Sequence, residues 1–154
     1  MDYRYIFEWF IYGDRDLGVA EHSLSYQPQP YEIICYLCQQ SAEKYLKGYL
    51  FYHGIKPPKI HELDKLCDMC VEYDDLFDGI YDQCEALSQY GVQPRYPHEM
   101  LIEEPHAKKA LEYARQIKEF TPLQEIRQEL EQSIKEENPL PADEVVNTNP
   151  ADNL

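Results

Sequence analysis

The sequence predicts an all-α protein: an antiparallel up-and-down helical bundle of four to five core helices, followed by a polar C-terminal helix and a flexible tail. Apolar residues recur at intervals of three and four along several long stretches, and most of the 11 prolines lie between those stretches. No segment keeps the period-two alternation of a half-buried strand. With 154 residues, 44% of them hydrophobic, the chain can bury one sizeable core.

The first two predicted helices have clear apolar faces and clear ends. On the first helix the recurring residues are Ile6, Phe10, Gly13, Leu17, Ala20 and Leu24. The second should begin near Pro30, because proline suits the first helical position, and should turn Ala42, Leu46 and Leu50 towards the core. It should end at His53 or Gly54, because glycine terminates helices and two prolines follow.

Four further helices are predicted, each from its apolar spacing or its first residues. The third begins near His61, and its apolar positions are Leu63, Leu66, Cys67, Cys70 and Val71. The fourth carries Leu76, Ile80, Cys84 and Leu87, and a long loop follows from Gly91 to Glu104. Pro105 opens the fifth helix. Thr121-Pro122-Leu123-Gln124 has the pattern of a capping box for a polar sixth helix that ends near Glu137. We therefore expect a helical domain over residues 1–120, the polar helix over 121–137 and the tail over 138–154.

The charge of the chain excludes two classes of function. Fourteen Lys and Arg stand against 29 Asp and Glu, for a formal charge of -15. A protein that coats nucleic acid needs a broad basic face, and a membrane-surface helix is cationic, so neither fits. The N-terminus lacks the basic and apolar regions of a signal peptide, and we expect a cytoplasmic protein. The region from Gln39 to Lys65 is the exception in charge, with five lysines and three acids.

The cysteines and histidines do not predict a metal site. Two CxxC pairs, Cys35/Cys38 and Cys67/Cys70, have the spacing of zinc ligands, but both lie in helical stretches rather than in turns. Cysteine as a small buried apolar residue explains their positions equally well. The five histidines are dispersed, and no phosphate-binding glycine loop or nucleophile elbow is present. The sequence therefore predicts no bound metal and no cofactor.

The second helix carries a polar stripe. Gln40, Lys44 and Lys47 lie at i, i+4 and i+7, and Glu43 has the spacing to pair with Lys47. Amides and lysines on one stripe can bind a phosphate or the edge of a base. The same stripe can equally pack against a partner subunit, and both interpretations stay open.

Several motifs, taken in order, resemble the HEPN family of small helical domains. Residues 39–47, QQSAEKYLK, match the QQ-x-A-E-K-x-L-K run of the family. Trp9, Asp16-Leu17 and Ala20 precede this run, and Gly54, a proline turn and His61-Glu62-Leu63 follow it. Tyr90 and Arg95-Tyr96-Pro97 are similar to the late elements of the family. The resemblance covers about residues 3 to 120.

The resemblance implies a helical bundle that is usually a homodimer and is often paired with a minimal nucleotidyltransferase. Some members are metal-independent ribonucleases that use Arg, four to six residues and then His. Only two residues separate Arg95 from His98 here, so the resemblance favours a non-catalytic module that binds a nucleotide or a nucleotidyltransferase partner, in a toxin–antitoxin-like or RNA-linked system. The alternatives are a ribonuclease acting through Arg95 and His98, or a purely structural dimerisation domain.

Two expectations follow for the surface of the protein. The ligand-binding residues should be Gln40, Lys44, Lys47, Arg95 and Tyr96: lysine and arginine for an anionic group and the tyrosine ring for stacking. The ligand would be a nucleotide or RNA. Aromatic residues beyond the needs of one small core predict a homodimer interface. These are Tyr3, Phe7, Tyr36 and Tyr52.

Overall fold

The computed structural model describes residues 1–91 and 101–139, and within these ranges all regular structure is helical. The α-helices are α1 (Tyr3–His22), α2 (Tyr31–Tyr52), α3 (Leu63–Val71), α4 (Tyr81–Ser88), α5 (Glu104–Lys118) and α6 (Thr121–Glu137). The predicted all-α class is therefore confirmed. Most of the predicted long loop and of the predicted tail lies outside the described residues. No helix in the two described ranges is long and apolar enough to cross a membrane.

Helices α1 and α2 pack against each other in antiparallel directions over most of their length. The predicted apolar face of α1 is buried from Ile6 to Ala20, and Ala42, Leu46 and Leu50 of α2 are fully buried. Two glycines allow the close approach. A Cβ on Gly13 would lie 2.6 Å from Cε1 of Tyr45, and one on Gly48 would lie 2.9 Å from Cε2 of Phe10.

The segment after α2 differs from the predicted pattern in two places. Helix α3 begins at Leu63, two residues later than predicted, because the backbone is still extended at Glu62. The predicted fourth helix is split into a 3₁₀ helix over Asp75–Ile80 and the α-helix α4. Leu76 lies on the 3₁₀ helix and is exposed, whereas Phe77 is buried in its place.

Helix α5 has the capping box that the sequence analysis assigned to α6. The Glu103 carboxylate accepts from the backbone of His106, and the His106 ring accepts from the Glu103 backbone N–H at 3.0 Å. Pro105 lies in the first turn, as predicted. At α6 the N-cap is Phe120 and no side chain caps the helix, so the predicted box at Thr121 is wrong. Instead, the Gln124 side chain donates back to the Lys118 carbonyl.

Helix α6 is not only a solvated polar helix, because one side of it enters the core. Leu123 and Leu130 are buried, and Arg127 reaches Asp14 of α1. The guanidinium donates from Nη1 and Nη2 to the two Asp14 oxygens at 2.7 and 2.8 Å, and the Tyr45 hydroxyl donates to the same carboxylate at 2.6 Å. Burial opposes the charge on Asp14, but the hydrogen bonds from Arg127 and Tyr45 outweigh it and lower the pKa of this carboxyl.

Candidate functional site

A group of polar side chains that we call the α2 polar cluster lies where α2 faces α1 and the turn before α3. Its members are Asp16, Gln39, Gln40, Glu43, Lys44, Lys47 and His61. The two glutamines form a chain of hydrogen bonds. Nε2 of Gln40 donates to Oε1 of Gln39 at 2.8 Å, and Nε2 of Gln39 donates to the His61 carbonyl at 2.9 Å. Gln39 is fully buried, so this chain fixes the turn against α2.

Glu43 is the centre of the cluster and the most unusual residue in it. Only 6% of Glu43 and 9% of Lys47 is exposed, although both side chains ordinarily carry charge. The Glu43 carboxylate lies 3.5 Å from Nζ of Lys47, which confirms the predicted i,i+4 pair, and it accepts from Nδ1 of His61 at 2.7 Å. The His61 side chain is 65% exposed. A buried carboxylate therefore holds an exposed imidazole ring in one orientation.

Lys44 also has a carboxylate partner, Asp16 of α1. Gln40 and Lys44 are half-buried, so they present their polar groups partly to solvent. Asp16 and Glu43 together balance Lys44 and Lys47, so the charge of these two lysines is neutralised within the cluster. What remains available at its surface are two donors, the Lys44 ammonium and the Gln40 amide, and one acceptor, Nε2 of the neutral His61 ring, because Nδ1 carries the proton given to Glu43.

The late motif of the sequence begins beside this cluster. A Cβ on Gly91 would lie 3.3 Å from Nε2 of Gln39 and 3.5 Å from Cβ of His61, so the backbone passes close to both residues. Arg95, Tyr96 and His98 lie outside the described residues. The structure thus leaves Gln40 and Lys44 partly exposed, whereas Lys47 is buried beside Glu43. Arg95 and Tyr96 stay predictions.

The cysteines lie in the core. All five are buried free thiols, and Sγ of Cys67 donates to the Phe77 carbonyl at 3.3 Å. Burial raises the pKa of Cys35 to about 12 and also raises the pKa of Cys38 and Cys70. Within residues 1–91 and 101–139, no three His, Cys, Asp or Glu side chains are grouped as metal ligands.

The aromatic residues assigned to a dimer interface are all half-buried. Tyr3 and Tyr52 line a groove beside α6, and the Tyr52 hydroxyl donates to Glu129, a bond that raises the pKa of this tyrosine to about 12. Phe7 lines a second groove beside α6. Helix α6 therefore lies against Tyr3, Phe7 and Tyr52, which were predicted to contact a partner subunit.

A different aromatic group lies at the outer side of α1 and α2. Trp9 stacks on Phe51 at 5.3 Å between ring centroids, and Tyr5 meets the Phe51 ring edge-on at 5.4 Å. Tyr5 is 46% exposed, and Tyr12, also exposed, continues the same side of α1. Tyr5, Trp9 and Tyr12 lie at i, i+4 and i+7, which is the sequence signal for this group. The core residues of α1 have the same spacing, so the sequence pattern alone did not distinguish a second apolar face.

Comparison with known proteins agrees with this architecture. The family model described as HEPN domain matches residues 7–127. The crystal structure of TT1696 from Thermus thermophilus superposes with a TM-score of 0.64 at 23% identity, over 80% of this chain and 95% of that one. Among curated proteins, none matches the sequence. The family match spans every helix up to the middle of α6, and the chain belongs to the HEPN domain family.

Proposed function

We propose that this protein is a non-catalytic HEPN module that binds a nucleotide at the α2 polar cluster. The observation that carries the proposal is the burial of Glu43 and Lys47 beside the exposed His61 ring. Burying an ion pair gives little net stability, and a well-packed apolar pair would serve the core as well. A buried charged pair beside an exposed ring is therefore a candidate for a functional site.

The donor set of the cluster suits a phosphate group. The Lys44 ammonium and the Gln40 amide lie on one helix stripe, and both can donate hydrogen bonds to an anion. In the proposal, Arg95 adds a planar fork for phosphate and Tyr96 stacks on the base. A phosphate has several acceptor oxygens, and hydrogen bonds from these donors would offset the repulsion from a chain of charge -15.

Titration of a nucleoside monophosphate and a short RNA at low salt tests this proposal. Lys44→Ala and Arg95→Ala should each weaken binding about tenfold, the effect of losing one charge-assisted contact. Lys59→Ala is the matched control, because Lys59 is an exposed lysine on the loop before α3. Binding that survives both site substitutions would place the site elsewhere. A wild-type protein that binds neither probe would refute the proposal and favour the structural dimerisation domain.

One observation supports ribonuclease activity as the second candidate. A histidine oriented by a carboxylate, as His61 is by Glu43 at 2.7 Å, has the arrangement that proton transfer requires. The ribonuclease considered from the sequence would act through Arg95 and His98 instead. The spacing of these two residues differs from that of the family enzymes. Cleavage of a labelled RNA in the presence of a chelator decides between the two. Cleavage that disappears in Arg95→Ala and in either His61→Gln or His98→Gln would replace the binding proposal with the enzyme.

We also propose that the protein is a cytoplasmic homodimer. In this proposal, the outer side of α1 and α2 contacts the second copy or a nucleotidyltransferase partner. The partly exposed rings of Tyr5, Trp9 and Phe51 support this surface, because aromatic residues are enriched in interface cores. Light scattering at micromolar concentration should give twice the monomer mass. Tyr5→Ala should lower that mass, and Leu76→Ala, which changes another exposed apolar residue elsewhere, should not. A monomeric wild type would refute the homodimer.

A further inference from the structure

A cavity of about 340 Å³ lies between the end of α4 and the first turns of α5, and it shares no lining residue with the α2 polar cluster. Its apolar wall is formed by Ala86, Leu87 and Ala110. Two tyrosines also line it, Tyr113 and the largely buried Tyr90. This volume lies within the range of small-molecule sites, and such sites combine apolar walls with a few polar groups that fix orientation.

The polar groups of this cavity are His106, Lys109 and Gln89. The Glu103 backbone N–H donates to Nδ1 of His106 at 3.0 Å, so the neutral ring carries its proton on Nε2 and offers a donor there. Lys109 is a donor as well, and its ammonium lies 4.9 Å from the centroid of the Tyr113 ring. Both His106 and Lys109 therefore offer hydrogen-bond donors to a ligand.

The charge of the lining is unusual for this protein. The chain has 29 acidic residues, yet no carboxylate among the described residues lines the cavity. Glu112 lies 3.3 Å from the Lys109 ammonium, but both side chains are more than half exposed. An exposed pair of this kind is weak and gives way easily to a better placed anion. The described lining of the cavity therefore favours an anionic ligand.

We propose that this α4–α5 cavity binds a small planar aromatic compound with a single anionic group. The ring would lie against Tyr90 and Tyr113, and the anion would accept hydrogen bonds from the Lys109 ammonium and from Nε2 of His106. The proposal is independent of nucleotide binding at the α2 polar cluster, because no residue belongs to both sites.

Calorimetric titration with four probes tests the chemistry of the site. Indole-3-acetate carries the ring and a carboxylate, and phenyl phosphate carries a ring and a phosphate. Indole-3-acetamide lacks the charge, and cyclohexylacetate lacks the planar ring. We expect indole-3-acetate or phenyl phosphate to bind at least about tenfold more tightly than both control compounds. Equal binding of all four probes, or binding of none at millimolar concentration, would overturn the proposal.

Variants locate the site. Lys109→Gln should remove the preference for indole-3-acetate over its amide, and Ala86→Leu should fill the cavity and abolish the binding of both. Lys108→Gln is the matched control, because Lys108 is the adjacent exposed lysine, pairs with Glu104 and does not line the cavity. If Lys108→Gln weakens binding as much as Lys109→Gln does, general electrostatic attraction explains the binding and the site is refuted. Methyl shifts of Leu87 and Ala110 on addition of probe check the location where Ala86→Leu is poorly folded.

Discussion

Replacing Gly13 by alanine should destabilise the protein, although alanine is the better helix former. The added Cβ would lie 2.6, 2.9 and 3.0 Å from three atoms of the Tyr45 ring, whereas ordinary contact begins near 3.4 Å. The ring has no room to retreat, because Tyr45 is 1% exposed and its hydroxyl is bonded to Asp14. Overpacking of this kind costs about 3 kcal/mol at the upper end of its usual range. The helix propensity of alanine returns about 1 kcal/mol, and a net loss of about 2 kcal/mol remains.

Gly18→Ala is the matched control for this prediction. Gly18 lies on the same helix, but a Cβ there would meet nothing within 4 Å. Its substitution should stabilise the protein by up to about 1 kcal/mol, the propensity difference alone. Urea unfolding followed by circular dichroism gives both free energies, provided that the slope with denaturant is unchanged. If Gly13→Ala is as stable as Gly18→Ala, the close approach of α1 to the Tyr45 ring is wrong.

The ion pair of Asp14 and Arg127 and the half-buried side chain of His53 support three further predictions. Arg127→Lys should lower the free energy of unfolding by about 1–2 kcal/mol, because the bidentate contact with Asp14 is lost, and Arg115→Lys, in an exposed pair with Glu21, should change it by less than about 0.5 kcal/mol. Asp14→Asn should lower the free energy of unfolding by a similar amount at neutral pH, but it should be as stable as the wild type in strong acid. The pKa of Asp14 is lowered in the folded state, so its charge stabilises the fold above the ordinary pKa near 3.8. This stabilisation is lost once the folded carboxyl is protonated. His53 has a buried Nε2 with no hydrogen-bond partner among the described residues, and burial lowers its pKa against the opposing charges of Asp74 and Glu129. The unfolded chain therefore binds the proton more readily, so stability should fall as the pH drops below about 6.5, and His53→Phe should remove this part of the pH dependence.

Chemical denaturation across a pH series measures all three effects. A wild-type protein and His53→Phe with parallel stability curves between pH 7 and 5 would contradict the assignment to His53. An Arg127→Lys variant as stable as the wild type would show that the Asp14 contact adds no net stability. Asp14→Asn with a constant difference from the wild type at every pH would rule out a protonation effect.

The helices could be predicted from the sequence because their apolar spacing is local information. The buried face of α1 from Ile6 to Ala20 follows from one repeated interval, and Pro30 and Gly54 mark the limits of α2. Local patterns did not predict which of two segments forms a capping box. Thr121 has the better sequence for a capping box, but Glu103 and His106 form one instead. Only the fold decides which of the two segments has its backbone placed for a cap.

At the candidate site, the contact within one helix could be predicted from the sequence, and the contacts between elements could not. The spacing of Glu43 and Lys47 within one helix was sufficient to predict their pair, and the structure has it. The partners from other elements, Asp16 for Lys44 and His61 for Glu43, depend on how α1 and the turn before α3 pack on α2. Because these contacts are long-range, the lysine stripe looked positive in the sequence and is balanced in the fold. The only sequence signal for the contact between His61 and Glu43 was the presence of His61 in the His61-Glu62-Leu63 motif.

The contact between Asp14 and Arg127 has a consequence for folding during synthesis on the ribosome. The two residues are 113 positions apart, so one of them leaves the ribosome long before the other. Helices α1 and α2 can pair as soon as Tyr52 has emerged, because every contact between them is already present in the nascent chain. Until Arg127 follows, the half-buried carboxylate of Asp14 lacks its guanidinium, and the Phe10 ring lacks the cover that the same side chain supplies at 5.4 Å. Synthesis that stalls within α6 would thus leave the first helix incompletely covered and open to other chains.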